Sequence, residues 1–163
     1  MNDLTLKDVL HEALLDEYRA RDTYRKIIDT FGAVRPFINI VEAEQRHIES
    51  LLTLFEKYNV PLPAIPGPEQ IEVPDSLLEA CEMGVDAEIE NIALYDRLVA
   101  ATELPDVVNV LQRLQAASRD NHLPAFQRCV ERGGMAGQGP GRGHGGPFGG
   151  TRGPRRGPGR TPR

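Results

Sequence analysis

Residues 37–58, FINIVEAEQRHIESLLTLFEKY, decide the fold class because they place an acid and a histidine inside an apolar helical stripe. Two adjacent heptad rows form this stripe: Phe37, Glu44, Leu51, Tyr58 and Ile40, His47, Leu54. Residues spaced by seven share one face of a helix. The segment therefore predicts a helix from near Pro36 to near Tyr58 that buries Glu44 and His47, three positions apart.

Helix-starting and helix-ending residues divide the rest of the first 132 residues into three further helices, and no stretch alternates like a strand. These helices run from about Thr5 to Phe31, from Ser76 to about Thr102, and from Pro105 to Gly133-Gly134. Thr5 with Asp8, and Ser76 with Glu79, have capping-box spacing, and glycine is common just past a helix end. We expect four helices in all.

The connections decide how these helices are arranged. The two outer connections are only a few residues long, so each predicts an antiparallel hairpin. The middle connection, from Asn59 to Asp75, holds five prolines and could extend roughly 50 Å, whereas a 24-residue helix is about 36 Å long. The sequence predicts an all-α fold, a four-helix up-down bundle made of two antiparallel hairpins joined by a long crossover.

The other three helices also carry polar residues on their apolar faces: Glu17 in the first, Glu88 in the third and His122 in the fourth. Burying an ionised carboxylate without a partner costs several kcal/mol, so cations must meet these acids. Two imidazoles at similar depth favour a divalent metal, because Glu and His together suit iron, manganese or zinc. The candidate metal ligands are Glu17, Glu44, His47, Glu88 and His122.

An internal repeat supports this register. Glu17 lies seven residues before Tyr24, and Glu88 lies seven residues before Tyr95. An inward histidine follows each acid, 30 residues later at His47 and 34 residues later at His122. The pattern indicates two copies of one hairpin. Three tyrosines, at positions 18, 24 and 95, are interpreted either as hydrogen-bond donors to the ligand carboxylates or as residues at the edge of the core.

Two motifs carry a resemblance to the ferritin-like superfamily, closest to its rubrerythrin-like di-iron carboxylate branch. Residues 17–24, EYRARDTY, resemble the E-x-x-A-R-x-x-Y of that branch, and residues 44–47, EQRH, resemble its E-x-x-H. Residues 35–40, RPFINI, and 118–123, SRDNHL, are similar to an uncharacterised prokaryotic ferritin-like family. The resemblance covers about residues 4–131. It implies a di-iron or di-manganese site with one Glu from each of two helices and one Glu-x-x-His from each of the other two.

The same resemblance implies a function in iron, oxygen or peroxide handling. If the protein is an enzyme, it implies an oxidoreductase of the peroxide-reductase or ferroxidase type, with peroxide or oxygen as substrate. The chain has two cysteines and so no four-cysteine iron module, which means that turnover would need an external electron donor. Many relatives by resemblance are dimers, so a homodimer is expected.

Helix four departs from the family pattern, because Arg119 stands three residues before His122 where the pattern has Glu. If Arg119 points inward, its charge replaces one cation and we expect one strongly held metal. Alternatively, Pro124 kinks the helix, turns Arg119 to solvent and brings Asp120 or a water to a second metal. A different class of function also stays open: a non-enzymatic assembly module whose buried acids pair with Arg119 and which presents a basic tail.

That tail is residues 133–163, which hold 13 of the 16 glycines, six arginines and no acid. We expect it to be disordered and to follow a bundle domain of residues 1–132. Residues 1–132 carry all 24 acids and a net charge of −11, which would repel phosphate. In the tail only Phe148 could stack on a base, so nucleic-acid binding is not favoured.

The cysteines and the chain's start bear on localisation. The opening residues are too polar for a signal peptide, and no apolar run approaches the roughly 20 residues that span a membrane. We therefore expect a cytoplasmic protein with no membrane contact. Cys81 lies seven residues before Glu88 and Cys129 seven after His122, so the two should be neighbours, and we expect free thiols in a reducing compartment.

Overall fold

The computed structural model describes residues 4–135, and within them all regular structure is helical. Its elements in chain order are α1 (Leu6–Phe31), α2 (Phe37–Tyr58), a 3-10 turn (Pro68–Gln70), α3 (Leu77–Ala100), α4 (Pro105–Ala117), a π-helical turn (Ser118–His122) and α5 (Leu123–Glu131). The last three follow one another without a break and form one fourth rod, residues 105–131. The predicted all-α four-helix architecture is confirmed. No helix in this part of the chain is long and apolar enough to cross a membrane.

The predicted helix ends are also confirmed. Thr5 Oγ1 accepts from the Asp8 backbone N–H at 3.2 Å, while the Thr5 N–H donates to Asp8 Oδ2 at 2.9 Å. Ser76 Oγ accepts from the Glu79 N–H at 3.2 Å. Gly133 takes a left-handed φ of 63° two residues after α5 ends, a conformation that glycine adopts at little cost. Local capping therefore sets the ends that the sequence signals.

The middle connection runs lengthwise along α1, as predicted for a crossover. His11 Nε2 donates to the Pro61 carbonyl at 2.7 Å, and Lys26 Nζ donates to the Ile71 carbonyl at 2.8 Å. The two anchors are 15 residues apart on α1, or about 22 Å. The connection thus crosses the bundle, and α3 starts at the end where α2 starts.

Two apolar clusters fill the bundle, one toward each end. The cluster at the end where α1 begins includes Leu10, Leu14, Leu51, Leu98 and Leu111. The cluster at the other end includes Tyr24, Ile27, Phe37, Phe126 and Cys129. On every helix the predicted acid or histidine lies between the positions that supply the two clusters. The polar residues therefore occupy a layer with packed apolar core above and below.

At the second end, α5 packs very closely on α3. Gly84 lies under Phe126, where a Cβ would come within 2.5 Å of the Phe126 ring. A disulfide joins Cys81 to Cys129, whose Cα atoms are 5.9 Å apart. The prediction that these cysteines are neighbours is confirmed, and the prediction of free thiols is wrong. Heptad spacing located the two cysteines correctly. The free-thiol prediction rested on an assumed reducing compartment and took no account of a geometry that brings the two buried cysteines within bonding range.

The predicted disordered tail, residues 133–163, lies outside the described residues except for 133–135. The boundary of the bundle domain at residue 132 stays a prediction, and so do the cytoplasmic location and the homodimer.

Candidate metal centre

The structure brings all five predicted residues together in the middle of the bundle. Glu17 comes from α1, Glu44 and His47 from α2, Glu88 from α3, and His122 from the end of the π-helical turn. The three acids and His122 are buried, with at most 4% of each residue exposed, and the His47 side chain is 13% exposed. Heptad spacing thus predicted correctly that these five polar residues turn inward.

The five residues form two groups of three that share Glu44. Glu17, Glu44 and His47 form one group, and Glu44, Glu88 and His122 form the other, with one potential ligand atom from each residue within 4.8 Å of the others. His47 Nδ1 lies 2.9 Å from Glu44 Oε2 and 3.1 Å from Glu17 Oε2. His122 Nδ1 lies 3.2 Å from Glu44 Oε1 and 3.5 Å from Glu88 Oε2. Glu44 therefore turns one carboxylate oxygen toward each histidine.

Two tyrosines donate hydrogen bonds to Glu17 and Glu88, the two outer carboxylates that each belong to only one group. Each tyrosine comes from the other helical hairpin, the first being α1 with α2 and the second α3 with the fourth rod. Tyr24 of the first hairpin donates to Glu88 Oε1 of the second at 3.0 Å, and Tyr95 of the second donates to Glu17 Oε1 of the first. Burial, and then the adjacent carboxylates, raise the pKa of both tyrosines well above the ordinary value, so both remain donors. The donor interpretation is right for these two residues. It is wrong for Tyr18. The guanidinium carbon of Arg21 lies 4.6 Å from the centre of the Tyr18 ring, in a cation–π contact.

Protons balance much of the buried charge in the metal-free cluster. Burial first, and then the Glu44 charge, raise the pKa of Glu17 to about 8. Burial alone would raise the pKa of Glu44 too, but the two facing histidines outweigh it and hold that pKa below its usual range. Although burial opposes their protonation, the carboxylates raise the pKa of His47 to about 9 and that of His122 to about 10. These pKa shifts favour the protonated forms of both imidazoles and of Glu17 at neutral pH when no metal is bound.

The π-helical turn corrects the prediction for Arg119. Its side chain is 55% exposed and its guanidinium donates to Asp120 at 2.9 and 3.2 Å, so Arg119 does not point inward. The alternative that turned Arg119 to solvent is right, but Asp120 is exposed too and does not join the cluster. In this turn the Leu123 N–H bonds to the Ser118 carbonyl, five residues back, which puts Ser118 rather than Arg119 on the inward face with His122.

Two residues that the sequence did not single out hold this turn in place. Ser118 Oγ donates to Asn91 Oδ1 at 2.7 Å, and Asn91 Nδ2 donates to Asp16 Oδ2 at 2.5 Å. Both Ser118 and Asn91 are buried. The chain of hydrogen bonds ties the segment carrying His122 to α3 and α1. Helical periodicity could not reveal Ser118, because its inward position depends on the wider turn.

The donor set fits a transition metal. Carboxylate oxygens and imidazole nitrogens are ligands for iron, manganese and zinc. His122 Nδ1 is a buried atom with no hydrogen-bond partner among the described residues, although Glu44 and Glu88 each place an oxygen within 3.5 Å. A buried polar atom is normally satisfied, and a metal held by the same three residues would satisfy this one. With neutral imidazoles the three carboxylates total −3, so one divalent ion leaves −1 and two leave +1.

Cavities open on opposite sides of the cluster. One, of about 280 Å³, lies between α1 and α3 and reaches Glu44 and Glu88. Another, of about 480 Å³, lies between α2 and the fourth rod and reaches His47 and His122. A larger one, of about 610 Å³, lies between α1, α3 and the crossover and contains none of the five residues. The cluster is thus buried yet reachable from both its carboxylate side and its histidine side.

The fold and the cluster define an all-helical bundle whose core holds Glu and His groups that could bind a metal. The chain belongs to the family described as an uncharacterized protein domain, DUF2202, whose model matches residues 7–139. It is 30% identical over 143 residues to the uncharacterized protein MJ0754 of Methanocaldococcus jannaschii, covering 78% of this chain and 76% of that protein. The crystal structure of hypothetical protein MJ0754 is similar, with a TM-score of 0.67 and 27% identity over 80% of this chain and 82% of that one.

Proposed function

We propose that this protein binds one or two iron ions in the bundle core and acts in iron, oxygen or peroxide handling. The observation that carries the proposal is the shared Glu44, whose two oxygens face two separate His and Glu pairs. One carboxylate between two such groups is the arrangement expected of a ligand that contacts two neighbouring cation positions. Manganese or zinc would suit the same donors.

The resemblance to rubrerythrin-like di-iron proteins supports this proposal. The Glu17 and Glu44-x-x-His47 motifs of the resemblance lie side by side, and Glu88 and His122 come from the other hairpin. The centre differs from the family pattern in having three inward carboxylates rather than four, because Arg119 stands at the position of the fourth acid. The π-helical turn directs Arg119 outward and puts Ser118 on the inward face instead. Two divalent ions would then need one further negative ligand, such as hydroxide, for neutrality.

Iron bound here would supply one-electron redox chemistry and positions for oxygen or peroxide. The chain's own residues prepare those positions. Tyr24 and Tyr95 each occupy one oxygen of an outer carboxylate, which leaves Glu88 Oε2 and Glu17 Oε2 turned toward the histidines. The apolar clusters close the layer above and below, so that it is reached only through the cavities at its sides. The only two cysteines are joined to each other, so electrons for turnover come from an external donor.

The assembly-module alternative loses its main support. It required the buried acids to pair with Arg119, and Arg119 is exposed and paired with Asp120 instead. The buried acids face the two histidines.

Elemental analysis of the protein purified without added metal tests the proposal. We expect iron at about one or two equivalents per chain, lost in His47→Ala and kept in Glu90→Ala. Glu90 is a matched control, because it lies on α3 two residues from Glu88 but is exposed. If the unmodified chain contained no more metal than the His47→Ala variant and also took up no added ferrous iron, the proposal would be overturned. Zinc in place of iron would keep the site and overturn the redox function, because zinc has no redox chemistry. Manganese in place of iron would keep the site and change only the metal.

A further inference from the structure

The cavity on the histidine side has a cationic wall. Arg46 of α2 and Arg128 of α5 line it together with His47 and His122. Among residues 4–135 neither arginine has a carboxylate within 4 Å, whereas other arginines, such as Arg97, do form ion pairs. Asp120 also lines the cavity, but its charge is already matched by Arg119. Two solvent-exposed guanidinium groups that form no ion pair within residues 4–135 therefore border one space beside the cluster.

The cavity on the other side of the cluster has the opposite charge. Its lining holds one arginine, Arg19, and five carboxylates: Asp16, Glu44, Asp86, Glu88 and Glu90. An anion would be repelled there and attracted on the histidine side. The charge distribution thus separates an approach for cations from an approach for anions.

The size and the remaining lining of the histidine-side cavity indicate an organic ligand. Its volume of about 480 Å³ is typical of small-molecule sites and is several times what oxygen or peroxide needs, since a water molecule takes about 30 Å³. Ala43, Ala117 and Ala125 give it a small apolar surface, and Asn39 and Asn121 add amide groups. A molecule with an anionic head and a short apolar body matches this combination.

We propose that this cavity binds a small organic anion, with a carboxylate or phosphate head held by Arg46 and Arg128 and its body lying against the alanines, next to His47 and His122. Guanidinium groups bind such heads by paired charge-assisted hydrogen bonds. The proposal extends the proposed function, because it places an organic substrate or co-ligand beside the metal positions. The cavity belongs to the metal-free chain, so binding can be measured without metal.

Calorimetric titration of the full chain with benzoate, benzamide and inorganic phosphate tests the proposal. Benzoate combines head and body, benzamide keeps the body without the charge, and phosphate is a head alone. We expect benzoate to bind at least tenfold more tightly than benzamide. Arg46→Gln and Arg128→Gln should each raise the benzoate Kd about five- to tenfold. Arg113→Gln is the matched control, because Arg113 is an exposed arginine of α4 outside the cavity, and it should leave the Kd within twofold.

A cavity-filling variant tests the place of the apolar body. Ala43→Leu adds bulk to the cavity wall on α2 and should weaken benzoate about tenfold while changing phosphate binding less than threefold. Equal affinity for benzoate and benzamide, or unchanged benzoate binding in the Arg46→Gln/Arg128→Gln double variant, would overturn the proposal. Benzoate binding that depends on the arginines, in a protein that takes up no added ferrous iron, would support this site and count against the proposed function. A protein that binds metal but not benzoate would support the proposed function and overturn the organic-anion site.

Discussion

Glu44→Gln isolates the role of the shared carboxylate, because it removes a charge and keeps the side chain's size. In the metal-free protein Glu44 is the acid that faces both histidines, at 2.9 and 3.2 Å. Breaking a buried ion pair by removing one partner costs about 3–5 kcal/mol. The histidines can lose their protons in the variant, so we expect the lower end, about 3 kcal/mol. For a domain of this size that corresponds to a fall in Tm of about 10 °C.

The effect on metal binding separates this residue from its neighbours. Glu44 belongs to both groups of three, whereas Glu88 belongs to one. Glu88→Gln should therefore lose one binding position and keep the group of Glu17, Glu44 and His47, while Glu44→Gln loses tight binding altogether. We expect Kd to rise by more than about 100-fold in Glu44→Gln, since loss of an outer-shell partner alone costs about 10- to 100-fold.

Two measurements check this prediction: thermal unfolding of chelator-treated protein, and titration with Co²⁺ followed by its visible absorption. Glu90→Gln serves as the control and should match the unmodified chain in both. Tight Co²⁺ binding by Glu44→Gln, or a greater loss in Glu88→Gln than in Glu44→Gln, would refute the bridging role of Glu44.

Other predictions concern protons, the π-helical turn and the disulfide. Metal affinity should fall as the pH is lowered from about 10, because metal binds neutral imidazole while the carboxylates raise the pKa of His122 to about 10 and that of His47 to about 9. Calorimetry in buffers of different ionisation enthalpy should show proton release at pH 7, and its absence would contradict the assigned protonation. Ser118→Ala should destabilise the protein by about 1–2 kcal/mol and weaken metal binding about tenfold, whereas Arg119→Ala should leave binding unchanged. Reducing the disulfide, which closes a separation of 48 residues, should lower the free energy of unfolding by up to about 4 kcal/mol in urea titrations, and an unchanged midpoint would count against it.

The sequence predicted the parts of the centre that follow regular helical spacing. Glu17, Glu44 and Glu88 each lie in a heptad row, and an uninterrupted α-helix carries such a row along one face. Their burial follows from the pattern alone. The tyrosine hydrogen bonds were predicted only in part. The repeat identified Tyr24 and Tyr95, but it did not show which carboxylate each hydroxyl reaches.

The fourth rod shows where this reasoning fails. A π-helical turn accommodates one extra residue, and a single sequence read with a fixed period gives the wrong neighbour for His122. Two sequence features indicate the irregular turn: a regular helix would bury the charge of Arg119 beside the cluster, and Pro124 cannot make a regular helical hydrogen bond. The bond between Cys81 and Cys129 depends on how closely α5 approaches α3, and that distance follows from the missing side chain of Gly84 rather than from spacing.

The disulfide turns the second hairpin into a closed covalent ring. It joins the start of α3 to the end of α5, so residues 81–129 form a loop that contains both Glu88 and His122. A protease that cuts the connection between α3 and α4, at residues 101–104, would produce two fragments that still migrate as one species until a reductant is added. Glu88 and His122 would then lie on different peptides, and the disulfide would still hold these two peptides together after the backbone is cut.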